Sequence, residues 1–130
     1  MDEIKDKVLE IINSLTECDA IVIFGSYARG TDNAESDIDI AIKVREQISK
    51  TKLYEIKEIL EEKLKRDIDL INLDNVQNDG FKYEILINGK TIYCKDEYKF
   101  DLYKLDAYRE YLELNEARKD IVENIRKGGI

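Results

Sequence analysis

Asp37 and Asp39 stand one residue apart at the head of "DIDIAIKV", an alternating apolar–polar segment that runs from Asp37 to Val44. On a β-strand such a pair projects from one face, with the two side chains roughly 6–7 Å apart along the chain. A second alternating segment, "DIDLINL" (Asp67 to Leu73), carries Asp69 at the same kind of position, with Asp67 on the same face. Neighbouring strands lie about 4.8 Å apart, so if these two pair, three carboxylates meet on one patch. Carboxylates crowded in this way repel and resist ionisation unless a cation sits between them. Hard oxygen donors suit Mg²⁺, which binds through a few carboxylates together with substrate phosphates. Two such ions about 3.5–4 Å apart form a clamp for displacement at phosphorus.

Gly25 and Ser26 follow an apolar run, and ten residues separate Ser26 from Asp37. Glycine lets backbone approach a ligand closely, and a serine opening a helical turn offers a hydroxyl and an N–H to a phosphate. Arg29, one turn on, adds a planar fork of donors for the same phosphates. The parts are individually weak signals. An Asp-x-Asp pair alone is most often a solvated strand end, and Asp67 with Asp69 could be only a charged strand edge. Ile40 and Ile42 stand where a calcium loop needs oxygen ligands. The conjunction is what points to nucleotide chemistry.

The elements that must position these residues are legible in the apolar periodicity. Ile4, Val8, Ile11, Ile12 and Leu15 have helical spacing, and "AIVIF" (Ala20 to Phe24) reads as a strand covered on both faces. Leu53, Ile56, Leu60 and Leu64 mark a second amphipathic helix between the two aspartate-bearing strands. "FKYEILINGK" predicts a short helix ended by Gly89 in the left-handed conformation, followed by a last strand, "TIYC". A long helix is expected from about residue 97 to 127, capped by Asp96 and stopped by Gly128 and Gly129. The order predicts an α/β (α+β) layer fold: a small mixed sheet with helices on its apolar face and carboxylates on the other. The 130 residues are expected to form one domain, with a core over 1–95 and the long helix appended.

Composition narrows the chemistry. The chain contains no histidine, which excludes Ser-His-Asp and Cys-His catalysis and histidine-bound zinc. Its net charge of −8 opposes general binding to nucleic acid or to an anionic membrane, so neither is an expected partner. A compact phosphate ligand carried in with metal ions is not opposed, because the ions reverse the local field. The charged opening "MDEIKDKVLE" is unlike a signal peptide, and no apolar run approaches a membrane span, so a cytoplasmic location is expected. In that setting Cys18 and Cys94 read as reduced small residues.

"GSYARGTDNAESDID" resembles the signature of the polymerase-β-like nucleotidyltransferases, and the small size together with "DIDLINL" is similar to their minimal nucleotidyltransferase branch. The resemblance extends over nearly the whole chain. It implies that Asp37 and Asp39 hold two Mg²⁺ ions, for which Mn²⁺ can substitute. It implies too that a third carboxylate completes the metal site nearer the attacking hydroxyl: Asp69 fits best, with Asp67 the alternative. Ser26 matches the serine that holds the terminal phosphates of the nucleotide, with Gly25 and Arg29 beside it. Members of this branch resemble antitoxins that transfer AMP from ATP to a tyrosine of a HEPN ribonuclease toxin. Transfer to a small-molecule hydroxyl, or neutralisation of the toxin by binding alone, are the alternatives.

The long helix carries two apolar stripes. Tyr98, Leu102, Leu105, Tyr108 and Leu112 form one; Phe100, Tyr103, Ala107, Tyr111, Leu114, Ile121 and Ile125 form the other. An outer helix needs one stripe. Either the domain covers both, or the spare stripe meets another chain, a second copy or the HEPN partner. The sequence does not say which stripe faces out.

Overall fold

The computed structural model describes residues 2–30 and 37–127. Helix α1 (Asp2–Leu15) leads into strand β1 (Cys18–Phe24), a single turn of helix α2 (Gly25–Arg29) and, after the segment 31–36, strand β2 (Ile38–Val44). Helix α3 (Lys50–Leu64) returns the chain to strand β3 (Ile68–Asn72). A 3₁₀ turn (Leu73–Asn75), helix α4 (Asp79–Tyr83) and a π-helical turn (Glu84–Asn88) precede strand β4 (Lys90–Cys94) and the 30-residue helix α5 (Glu97–Arg126). The stop expected at Gly128 and Gly129 lies outside the described residues.

The four strands lie in the order β3-β2-β1-β4, with β2 and β3 parallel and the other pairs antiparallel. Helix α3 supplies the crossover that a parallel pair requires. Its start is fixed by Ser49, whose hydroxyl accepts from the Lys52 N–H at 3.0 Å. The alternating isoleucines of β2, Ile38, Ile40 and Ile42, pack with Ile21 and Ile23 of β1 against Val8 and Ile12 of α1 and Ile56 and Leu60 of α3. Side chains of this size each contribute about 1.5–3 kcal/mol when fully buried. This apolar face therefore fixes which face β2 and β3 turn outward, and with it the direction of their aspartates.

The opposite face differs from the one-sided sheet expected from the sequence. A second core there joins Ala20, Val22 and Phe24 of β1 and Ala41 of β2 to Leu73, Ile85, Leu86, and Phe100 and Ala107 of α5. The cause lies in β1, whose run from Ala20 to Phe24 is apolar at every position and so needs cover on both faces, as that run by itself implies. The carboxylate face is open at the start of β2 and β3, where Asp37 and Asp69 are exposed.

Gly89 is a second departure: its φ of −74° and ψ of 167° are extended, not left-handed. Glycine is needed there for proximity, since a Cβ would collide with the Ile85 carbonyl and come within 2.6 Å of Val22 Cγ1. Cys18 and Cys94 are both free thiols, and burial, then the charge of Asp19, pushes the Cys18 thiol up to about 12. Among the described residues no helix is long and apolar enough to cross a membrane.

Candidate active site

Strand register assembles the carboxylates. Phe24 of β1 pairs with Asp39 of β2, and Asp39 pairs with Asp69 of β3, giving one row of side chains across three strands on the second face. The next row along is Val22, Ala41 and Ile71. Asp37 is exposed and immediately precedes β2, in phase with Asp39. Asp39 itself is half-buried, and its carboxyl is pushed above the ordinary aspartate value. Burial is the largest cause, followed by the negative charges of Asp69 and Asp37; Arg29 pulls in the other direction. That balance places Asp37, Asp69 and Arg29 within electrostatic reach of one carboxylate. Asp67 is not among the charges acting on Asp39; its exposed side chain lies one period back, and its backbone carbonyl accepts from the Ile38 N–H at 3.0 Å.

Gly25 and Ser26 open α2 directly after β1, beside that row. Gly25 has φ +73°, and a Cβ added to it would collide with Asp39 Oδ2. The sequence suggests close approach to a ligand; the structure shows close approach to the carboxylate that faces Asp69. Ser26 is half-buried on the β1 side of Asp39, and exposed Arg29 ends the turn. Gly30, also at φ +73°, closes α2 by donating its N–H to Tyr27 O at 3.2 Å.

The donor set is of the kind that suits a hard divalent cation: Asp69 and Asp37 lie within electrostatic reach of Asp39, whose part-buried carboxyl resists ionisation. No three such groups among the described residues already surround one point at ligating distance. Mg²⁺ binds through a few carboxylates and draws the rest of its coordination from phosphates and water.

One group on this face was not picked out from the sequence. Lys43 lies four residues beyond Asp39 on the same face, and its Nζ donates to Asp74 Oδ2 at 3.1 Å. The Tyr103 hydroxyl donates to Asp74 Oδ1 at 3.3 Å. Burial, then the charge of Asp74, raises the Tyr103 phenol well above its ordinary value. This chain of contacts ties α5 to β2 and to the turn after β3. Strand alternation alone puts Lys43 in phase with Asp39; its ion-pair partner, Asp74, lies 31 residues away in sequence.

With this geometry in place, comparison with known proteins identifies the family. Residues 6–98 match the sequence profile described as polymerase beta, nucleotidyltransferase. The chain belongs to that family. This nucleotidyltransferase has similar relatives in a bacterium and an archaeon. Protein adenylyltransferase MntA of Shewanella oneidensis is 23% identical over 122 residues, spanning 93% of this chain and 86% of the relative. An adenylyltransferase-like protein of Methanocaldococcus jannaschii is 39% identical over 83 residues, spanning 64% of this chain and 85% of the relative. Among solved structures, a chain of a toxin–antitoxin complex with AMP-PNP superposes with a TM-score of 0.80 at 23% identity, covering 94% of this chain and 98% of that one. A chain from the complex of tri-AMPylated Shewanella oneidensis HEPN toxin with MNT antitoxin gives 0.77 at 20% identity, covering 96% and 98%. At these identities the superpositions establish the fold, which is that of the family.

Proposed function

We propose that this nucleotidyltransferase moves AMP from ATP to a tyrosine hydroxyl of a HEPN-type toxin and so neutralises it as an antitoxin. The observation that carries the reading is the Asp39–Asp69 register pair, with Ser26 on the far side of Asp39. Support for the acceptor comes from the relative named a protein adenylyltransferase and from the similar fold in complexes of an AMPylated HEPN toxin. ATP as donor fits a cytoplasmic reaction and is in keeping with the AMP-PNP complex of similar fold.

In this mechanism Ser26 and the adjoining N–H groups hold the β- and γ-phosphates, and Arg29 adds charge-assisted donors. Asp37, Asp39 and Asp69 would hold two Mg²⁺ ions, which supply charge neutralisation at the phosphates and lower the pKa of the attacking hydroxyl. The phenol oxygen forms a bond to the α-phosphorus, and the bond from that phosphorus to pyrophosphate breaks. Pyrophosphate leaves with the electron pair. The phenol proton passes to Asp69 and then to water. The protein's own contribution is orientation: attacking and leaving groups are held on opposite sides of one row of carboxylates.

Neutralisation by binding alone is a second reading, favoured by one observation: Tyr98, Leu102, Leu105, Tyr108 and Leu112 of α5 are all exposed. Intact mass of a co-purified toxin, with ATP and Mg²⁺ and without, separates the two. Increments of one AMP on tyrosine, absent with Asp39→Asn, support transfer. An unmodified but inhibited toxin would leave only binding.

A further inference from the structure

Sheet order has a consequence for where the acceptor enters. Ser26 follows β1 and Asp69 belongs to β3, so they flank Asp39 of β2 from opposite sides. Phosphoryl and nucleotidyl transfer place the attacking and leaving oxygens roughly in line across phosphorus. If pyrophosphate leaves toward Ser26, the hydroxyl arrives from the β3 side.

On that side lies an open groove of about 380 Å³, walled by Ile71, Val76 and Phe81 with Asn75 and Gln77 at its rim. Its lining includes no charged side chain, so it offers a phosphate no cationic donor, only the carboxamides of Asn72, Asn75, Gln77 and Asn78. Ile71 is two residues beyond Asp69 on β3, hence on the same face and roughly 6–7 Å farther along the strand. A tyrosine side chain is of comparable length from Cβ to hydroxyl. Phe81 is 43% exposed although its ring meets Phe24 edge to face, at 5.8 Å between centroids. Phe24 is in turn the cross-strand neighbour of Asp39. Phe81 thus joins the buried ring beside the carboxylate row to the groove.

We propose that this groove seats the aromatic ring of the acceptor tyrosine and delivers its hydroxyl to Asp69, making Phe81 and Val76 determinants of acceptor choice. The inference rests on the adenylyltransfer reading above. A ring in the groove spans the distance to Asp69; a serine or threonine hydroxyl at the same backbone position falls short and leaves the groove wet. Phe81 and Val76 touch no reacting atom in this arrangement and act by positioning.

The test uses the full chain with ATP, Mg²⁺ and a capped heptapeptide bearing one central tyrosine, beside its serine counterpart. Phe81→Ala and Val76→Asp are compared with wild type for AMP transfer, for KM of each substrate and for melting temperature. Loss of the ring contact should raise the peptide KM about tenfold, leave the ATP KM within about twofold, and erode the preference for tyrosine over serine. A raised ATP KM with an unchanged peptide KM overturns the inference, because the groove then holds the nucleobase. Unchanged constants in both variants also overturn it, as does a wild type that takes the serine peptide equally well. If Phe81→Ala does not fold, Val76→Asp alone decides. Absence of transfer from wild type to either peptide defeats the tyrosine reading itself, a result distinct from all of these.

Discussion

Gly25 and Asp39 share one space: a methyl group on the first would occupy the position of Oδ2 of the second. The glycine also sits at φ +73°, where an L-residue is strained. Gly25→Ala should therefore act twice, costing about 1–2 kcal/mol of backbone strain and displacing the Asp39 carboxylate from its place opposite Asp69. The expected result is a lowered melting temperature together with loss of AMP transfer. Gly30→Ala, at the same φ but with open space around its Cβ position, should lower stability and keep activity. Equal activity in the two variants would remove Gly25 from the site.

The three carboxylates give a graded expectation. Asp37→Ala, Asp39→Ala and Asp69→Ala should each reduce transfer by at least about a hundredfold with the circular dichroism spectrum unchanged, whereas Asp67→Ala should stay active. Apo stability should move in the other direction for Asp39→Asn. The Asp39 carboxyl is raised in the fold by burial and by its two neighbours, so its ionised form weakens the folded state. Folding stability of wild type then rises as pH falls through that raised value, and the advantage of Asn is largest near neutrality and disappears in acid. Melting curves of the two proteins from pH 7 down to pH 4 check this. Parallel curves would mean that Asp39 is not under the strain described.

Nucleotide and cation should stabilise the protein only together. The carboxylate row repels an ATP polyanion, so ATP in EDTA should leave the melting temperature where it was. ATP with Mg²⁺ at 100 times its Kd should add about 2.7 kcal/mol. Equal thermal shifts in the two conditions would sever the nucleotide site from Asp37, Asp39 and Asp69.

How much of this site could be read from the sequence depended on range. Strand alternation is local, so it put Asp37 and Asp39 on one face and gave Asp67 and Asp69 as a pair. Choosing between Asp67 and Asp69 requires the β2–β3 register, which the buried Ile38, Ile40, Ile68 and Leu70 set through packing against α1 and α3. Lys43 is in phase with Asp39, but its partners, Asp74 and Tyr103, come from elements distant in sequence, so alternation alone does not reveal its role. The groove was not legible at all: Ile71, Val76 and Phe81 meet only because the chain turns twice between β3 and α4. Gly89 misled for a related reason, since its contact with Val22 is tertiary and a helix-ending glycine looks the same in sequence.

The last prediction concerns the two stripes of α5. The structure turns Phe100 and Ala107 into the second core, and Tyr111 stacks on Tyr83 with centroids 4.2 Å apart and planes 16° apart. The other stripe is solvent-facing, with Leu105 at 41% exposure. From residue 115 to 127 every described side chain is exposed, so Ile121 and Ile125 of the inward-facing stripe have passed beyond the domain they would cover. Tyr111→Glu removes a stacked pair worth about 0.5–1.5 kcal/mol beyond its area and puts a charge in its place. It should lower the melting temperature by about 5 °C or more. Leu105→Glu alters an exposed position, where substitutions usually stay within about 0.5 kcal/mol, so its melting temperature should match wild type. If the outward stripe is the toxin-binding surface, co-purification of the partner is lost with Leu105→Glu in spite of an intact fold. Should Leu105→Glu change the sedimentation of the protein alone, the stripe instead joins two copies of this chain. Retention of both partner and oligomeric state would leave the stripe outside any interface.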